Sequence, residues 1–496
     1  MSTIIAALTK LGPSRSSTIV EYLKEKQGLS DTAARQRISR AMSPVLKFPI
    51  PLLPNREVFL YLKHQRVTEN FWLNLHKAMR DTNSVYGASI DGLLGRGGIV
   101  LEHEFDVISG APLALKKQVS AGLVAKRLEA AGAIRRAVID NNTYYVIDQI
   151  ELGFPDFNAH KARTLADSII LEAVRDWIRK LGLASYNKIN IRGDEGKRLV
   201  GAFAWDLTGP SYLLPLRNFK AQPGFVVADV FSEGVLDENG IQYFIRKAQL
   251  LKASLKSSNA LSILIAEGFD GRALTSGHKA GIVLATTENL FGQKVAQGIH
   301  SLLYTLRNAA AIAVGNPERL ASLLDDLSHI EGAAGNLRGI LFELIAVYLA
   351  KEGAVSVDFA RPALDPKTGK KFDIDVLRII NKAECTAIEC KGKAPGGILG
   401  LEEIEEWIGK LPIFRGYLLA QEQFRNAKIS FEIWTTGTFT DEATARLEKE
   451  KASRVKSPIA WKDGKDVLAL ARRTKEIAIV NALNQHYLKH PLSTSS

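Results

Sequence analysis

Between Lys371 and Lys391 the chain alternates apolar and polar residues in two runs, with a short polar turn at Asn381-Lys382 between them. A period of two belongs to half-buried strands, so the pattern predicts a β-hairpin. A helix-like apolar run precedes it, Asn336–Ala350, and Glu343 is the only acid inside that run. A strand at Pro458–Trp461, a turn at Asp463-Gly464 and a helix over Lys465–Arg473 follow. Strands interleaved with helices point to an α/β domain over residues 331–480.

Residues 160–295 give an echo of that order. A helix at Ala162–Leu181 carries Glu172 in a mostly apolar setting, and strand-like runs follow at Ala202–Leu207 and Gly224–Phe231. Then come a helix at Ile241–Leu255 and strands at Ala260–Ala266 and Gly281–Ala285. Residues 296–330 read as a helical connector built from helices at Lys294–Val314 and Pro317–Ile330, with Asn316-Pro317 as cap and first-turn proline.

The front of the chain has a different rhythm. Residues 1–66 read as helices at Ser2–Lys10, at Ser17–Gln27 and from Ser30 or Asp31 to about Met42, then a strand at Val58–Lys63 with Val45–Pro54 as its proline-bearing edge partner. Residues 67–150 repeat the plan, with helices at Phe71–Arg80, Gly87–Leu94 and Val119–Ala131 and a hairpin joining Ile134–Asp140 to Thr143–Ile147. Both stretches resemble winged helix-turn-helix modules. The resemblance implies double-stranded DNA as a partner, with Asp31–Met42 as recognition helix. Arg35, Arg37 and Arg40 there, and Lys126, Arg127, Arg135 and Arg136 in the second stretch, are the candidate DNA-binding residues. The glycine-rich run Gly92–Gly98 lacks the lysine-serine ending of a phosphate loop and the strand before it, so it reads as a turn.

Charge sharpens this picture. The 496 residues carry a formal net charge of +12, which permits a polyanionic partner. Residues 1–150 hold 20 lysines and arginines against 13 acids, a surplus of +7, so the front is more basic than its share. The two cysteines, Cys385 and Cys390, support neither a zinc site nor a disulfide framework, and the expected compartment is a reducing cytoplasm. The first residues lack the pattern of a signal peptide, and no run approaches a membrane span.

The hairpin concentrates the chemistry. Asp373 and Asp375 share one strand face, and Glu389 and Lys391 share one face of the next strand. Two acids and a lysine converging on a strand pair suit metal-assisted phosphodiester hydrolysis. Carboxylate oxygens are what Mg²⁺ prefers, the ion acidifies water, and an ammonium offsets charge building on phosphate. A two-residue turn at Asn381-Lys382 would put Asp375 and Glu389 on opposite faces; an odd loop or a bulge brings them together.

Glu343 on a helix, then Asp375, then Glu389-Cys390-Lys391 after thirteen further residues, resembles the PD-(D/E)XK nuclease superfamily, in its restriction-endonuclease-like branch. The resemblance covers about residues 330–475, with Gly400–Ile408 as the following helix, Ile429–Gly437 as the fourth strand and the stretch from Thr440 as the closing helix. It implies DNA cleavage dependent on Mg²⁺ or Mn²⁺, with Asp375, Glu389 and the carbonyl of Cys390 around the metal. Lys391 would stand by the water, and Glu343 would be an outer or second-metal acid. The Pro-Asp dipeptide of the family is replaced by Phe372-Asp-Ile-Asp, which leaves Asp373 beside Asp375 as a candidate ligand. In the echo, Asp229-Val-Phe231 stands where Glu-x-Lys is expected, which suggests a degenerate nuclease-like domain kept for gripping DNA or for dimerisation.

The expected protein is thus an α/β multi-domain endonuclease: two winged helices (1–66 and 67–150), a degenerate nuclease-like domain (160–295), a connector (296–330) and a nuclease core (331–480). Restriction or anti-phage defence, a homodimer and partner proteins of a defence system come from the same resemblance. The competing expectations are a non-catalytic winged-helix DNA-binding regulator and a nuclease directed at RNA or junctions.

Overall fold

The computed structural model describes residues 3–116, 118–139, 142–155, 157–194, 196–218, 222–255, 259–307, 334–364 and 371–488. The chain is a mixed α/β protein with mixed sheets. Among the described residues no helix is long and apolar enough to cross a membrane. It divides into two compact units: Met1–Val138, Asn142–Leu171 and Trp177–Thr286 form the first, and Ile139–Asn141, Glu172–Asp176 and Thr287–Ser496 the second.

The first unit opens with α1 (Thr3–Leu11), β1 (Ser14–Arg15), α2 (Ser16–Gln27), α3 (Asp31–Ser39), β2 (Val45–Lys47) and β3 (Phe59–Leu62). β1 and β2 flank β3 in an antiparallel sheet. The Ser30 hydroxyl accepts from the Ala33 N–H at 3.2 Å and starts α3, as the sequence suggested. α3 stops at Ser39 rather than Met42, where the chain turns toward Pro44, and the residue before a proline disfavours helix.

Next come α4 (Glu69–Asp81), α5 (Val85–Gly95), β4 (Ile99–Leu101), α6 (Phe105–Ile108), α7 (Ala121–Ala131), β5 (Ile134–Ile139) and β6 (Asn142–Ile147), with sheet order β4-β6-β5. Sequence periodicity missed β4 and α6, which are too short to show one. Phe48, Phe59 and Tyr61 pack with Phe71, Trp72 and Leu75, so one apolar core crosses the boundary expected at residue 66.

The rest of this unit is α8 (Phe157–Lys180), β7 (Asn190–Ile191), β8 (Leu199–Val200), β9 (Phe203–Ala204), β10 (Leu207–Ser211), β11 (Gly224–Leu236), α9 (Gln242–Ser254), β12 (Ala260–Phe269), α10 (Gly271–Lys279) and β13 (Val283–Thr286). The strand expected over Ala202–Leu207 is interrupted: Phe203–Ala204 pairs in the β8–β9 ribbon, and β10 begins at Leu207. The sheet order is β7-β10-β11-β12-β13, antiparallel across its first two pairings and parallel across its last two. Parallel neighbours need crossovers, and α9 and α10 supply them.

The second unit holds α11 (Thr287–Phe291), α12 (Gln293–Arg307), α13 (Ala334–Ala350), β14 (Ser356–Leu364), β15 (Lys371–Asn381), β16 (Glu384–Lys391), β17 (Ile398–Leu399), α14 (Leu401–Ala420), β18 (Lys428–Thr435), β19 (Thr438–Phe439), α15 (Asp441–Ser453), β20 (Ile459–Lys462), α16 (Gly464–Arg473) and α17 (Ile477–Leu483). The expected connector helix at 317–330 lies outside the described residues. The sheet order is β14-β15-β16-β18-β20, with the same succession of two antiparallel and two parallel pairings. β14 was not expected, because Asp358, Arg361 and Pro362 interrupt its apolar pattern; it is an edge strand, where a proline is tolerated.

Trp407, Leu411 and Phe414 of α14 pack on Ile374, Leu377, Phe431 and Ile433 of the sheet. α13 comes down on the end of β16: a Cβ at Gly392 would lie 2.6 Å from the Arg338 carbonyl oxygen and 3.0 Å from Phe342 Cβ. Tyr487 Oη donates to the same carbonyl at 2.9 Å and holds the helix there.

Gly392→Ala is therefore expected to cost about 1–3 kcal/mol in urea unfolding, because α13 must move. Gly409→Ala, in α14 with nothing near its Cβ, is expected to gain about 0.5–1 kcal/mol. Equal effects at the two positions would refute this close packing of α13 on the strand end.

Candidate active site

The register of β15 on β16 decides the site. The turn falls at Lys382-Ala383, one residue later than expected, with Asn381 paired to Glu384. The Asn381 side chain accepts from the Ala383 N–H at 2.7 Å and tightens the turn. Between the pairs Ile379–Cys385 and Asn381–Glu384 the register shifts, leaving Ile380 as the bulged residue. That single extra residue puts Val376 opposite Ile388, and the next step sets Asp375 against Glu389. Of the odd loop and the bulge, the bulge is what forms. The strand pairing ends at Val376–Ile388, and the Cys390 N–H donates instead to Asp375 Oδ2 at 2.7 Å.

Around Glu389, which is only 5% exposed, positive charge arrives from two elements. Lys391 Nζ lies 3.0 Å and Lys410 Nζ 3.3 Å from the same oxygen, Oε1. Lys410 also pairs with Glu406 at 2.9 Å, one turn earlier on α14. Sequence reasoning missed Lys410. The signal was the Glu406-x-x-x-Lys410 spacing, in a helix that runs past its expected end at Ile408 and through Pro412 to Ala420.

The carboxyl groups outweigh these two ammonium groups. Burial, then the Glu389 charge and a smaller effect of Asp373, push Glu343 up to about 7 against the pull of Lys391. Burial, then Glu389 and Glu343, push Asp375 well above the ordinary range despite its bond from Cys390. The Cys390 thiol is raised by burial and then by Asp375. Burial works against the charged form of Lys391, yet Glu389 and its hydrogen bond hold the lysine above its ordinary value. Glu343, Asp375, Glu389 and Lys391 are thus within electrostatic reach of one another. Asp373, exposed on the same face of β15, belongs to the same neighbourhood.

Among the described residues no group of three or more His, Cys, Asp and Glu side chains stands ready to hold a metal ion. Mg²⁺ seldom needs such a cage, since it keeps several waters and takes one or two carboxylates together with substrate phosphate oxygens. The residues present fit that demand. Asp375 follows one step beyond the Val376–Ile388 pair, and burial, with repulsion from Glu389 second, raises the proton affinity of Glu343 and Asp375.

The candidate DNA-binding residues fare unevenly. Arg35, Arg37 and Arg40 are exposed, opposite the buried Ala34 and Ile38. Arg35 pairs with Asp31 at 2.6 Å, and Arg37 donates to the Gln27 side chain at 2.7 Å. Lys126 is exposed, but Arg127 turns inward to the Tyr86 hydroxyl at 2.6 Å. Arg135 pairs with Asp148 at 3.1 Å and Arg136 with Glu102 at 3.0 Å, and both side chains remain 51% exposed. Glu172 of α8 pairs with its neighbour Arg175. The acid of that helix that reaches the sheet is Asp167, which accepts from the Ser232 N–H at 2.9 Å.

No family model, curated protein or solved structure matches the chain.

Glu343 sets a pH dependence. Its folded-state pKa near 7 exceeds its ordinary 4.5, so the folded chain binds the extra proton between these values, and stability falls as pH rises through that window. Relative to wild type, Glu343→Gln is expected to gain up to about 3 kcal/mol across it in urea unfolding at stepped pH. Parallel curves for the two proteins would refute the crowding of these carboxyls.

Proposed function

We propose that the chain is a metal-dependent DNA endonuclease of the PD-(D/E)XK kind. The supporting observation is the placing of Asp375 one step beyond the Val376–Ile388 pair of the bulged hairpin, with its Oδ2 on the Cys390 N–H, near the ion pair of Glu389 with Lys391 in a buried carboxyl cluster. Residues 331–480 are then the nuclease core, and 160–295 a degenerate copy. Residues 1–66 and 67–150 follow the helix, strand, helix, helix, hairpin plan of winged helices, the second with an extra leading helix.

Asp375, Glu389 and the Cys390 carbonyl would hold Mg²⁺ or Mn²⁺. The ion supplies Lewis acidity toward water and toward the phosphate oxygens. Lys391 Nζ orients the attacking water and offsets charge on the phosphate. Glu343, on α13, would be an outer or second-metal acid. Lys410 steadies Glu389 from the helix side. Exposed Arg35, Arg37 and Arg40 meet duplex phosphates, which gives salt-sensitive binding. A role in restriction or anti-phage defence follows from the resemblance alone.

A second reading, a non-catalytic DNA-binding regulator, draws on the same Glu389: an acid held by two lysines can be purely structural. Nicking of supercoiled plasmid separates the two. The endonuclease nicks with Mg²⁺ or Mn²⁺ and stops with chelator, and Lys391→Ala and Glu389→Ala, folded by circular dichroism, lose on the order of 10²-fold or more. No nicking with any divalent ion, alongside duplex binding weakened in the Arg35, Arg37 and Arg40 alanine variants, means the regulator.

A further inference from the structure

The sheet of the first unit repeats the strand order and directions of the second, and its charged residues repeat too. Leu207 pairs with Ala228, so the next step sets Asp206 against Asp229, as Asp375 stands against Glu389. The Val230 N–H donates to Asp206 Oδ2 at 3.0 Å, just as the Cys390 N–H donates to Asp375 Oδ2 at 2.7 Å. Lys247, on the helix after the third strand, donates to Asp229 at 2.7 Å, as Lys410 does to Glu389. Asp167, on the helix before the sheet, takes the part of Glu343. Four correspondences from four elements define one site made twice.

The two copies differ in what fills them. Arg96 reaches in from the turn after α5, with Nη1 2.5 Å from Asp167 Oδ2 and Nη2 2.7 Å from Asp206 Oδ2. Arg192 sits beside it, with Nη1 3.0 Å from Asp167 and Nη2 2.8 Å from Asp206. Phe231 occupies the place of Lys391, and the Arg96 guanidinium lies 4.5 Å from the centre of its ring. A Cβ at Gly95 would lie 2.8 Å from that ring, so only glycine lets the turn come this close. Arg163 donates to the Arg96 carbonyl at 2.7 Å and pairs with Glu233 at 3.0 Å, fixing the turn from outside. Three acids (Asp167, Asp206, Asp229) meet three bases (Arg96, Arg192, Lys247), all of them buried. Burial alone would raise Asp206, but Arg192 and Arg96 outweigh it and hold the carboxyl below its ordinary range, the reverse of Asp375.

We propose that this first-unit site is a divalent-cation site in which the guanidinium groups of Arg96 and Arg192 stand in the ion's place, so that it takes no metal, cleaves nothing, and serves as the socket that fixes residues 69–147 to the sheet. The comparison with a divalent ion rests on the reading of the C-terminal cluster given above.

The test is Arg96→Gln in the full chain, followed by thermal unfolding with chelator and with millimolar Mg²⁺, Mn²⁺ or Ca²⁺. Removing one guanidinium leaves buried carboxylates short of charge, so the variant melts below wild type in chelator. A divalent ion then restores at least about 5 °C more than it gives wild type. Adding Asp206→Asn removes the rescue. A variant that no divalent ion restores, whether folded or not, overturns the proposal. Wild type and Asp375→Asn titrated in parallel report any ion held in the second unit. Loss of rescue at Arg96 and loss of plasmid nicking can therefore occur independently.

Discussion

Carboxylates withdrawn from water must be neutralised, by a base, a proton or a cation, and the geometry of this chain is organised by that demand. At the end of β16 the demand is met in part. Lys391 and Lys410 share one oxygen of Glu389, and the remaining shortage appears as raised proton affinity at Glu343 and Asp375. The bulge at Ile380, the missing side chain at Gly392 and the length of α14 each serve to assemble that crowd of acids. Without the bulge Asp375 would face away; without Gly392 the helix bearing Glu343 would stand off the strand.

The first unit shows what the same strand order does when the demand is met in full. Asp167, Asp206 and Asp229 are matched one for one by Arg96, Arg192 and Lys247. Asp229 and Lys247 are each shifted by burial toward their uncharged forms, but a proton passed between them leaves the net charge unchanged. A buried set of this kind contributes little net stability over an apolar core, yet breaking one partner out of it is costly. It therefore acts as a device of specificity: residues 69–147 fit this sheet in the one way that brings Arg96 to the acids. Two sheets of one topology with opposite electrostatics show why fold does not fix function and the site does.

The strongly periodic stretches were legible in the sequence, and so was the hairpin register, because a period of two turns it into a question of odd or even. Short elements such as β4 and α6 were not, since three or four residues carry no period. Nor could the sequence choose between acids on α8. Its 24 residues present carboxyls on several faces, and the position of the sheet, fixed by distant residues, selects Asp167 over Glu172. Arg96 was hidden for a related reason. The run Gly92–Gly98 reads as a turn in the sequence, but its first four residues close α5, and the arginine that follows them has meaning only beside acids far along the chain. In the basic front end, counting charges gives a surplus but not the local partners, which are Tyr86 for Arg127, Asp148 for Arg135 and Glu102 for Arg136.

Phe231 and Arg96 depend on each other. A lysine at residue 231 would place a fourth positive charge among three acids and press directly on the incoming guanidinium. An aromatic ring removes that repulsion and offers a flat face to a planar cation, an arrangement favourable by about 2 kcal/mol or more when desolvated. Conversely, Phe231 without Arg96 would leave Asp167 and Asp206 with Arg192 as their close counter-ion and an apolar ring in place of the ammonium. Each residue is unfavourable without the other, so Phe231 and Arg96 hold each other in place at the three acids.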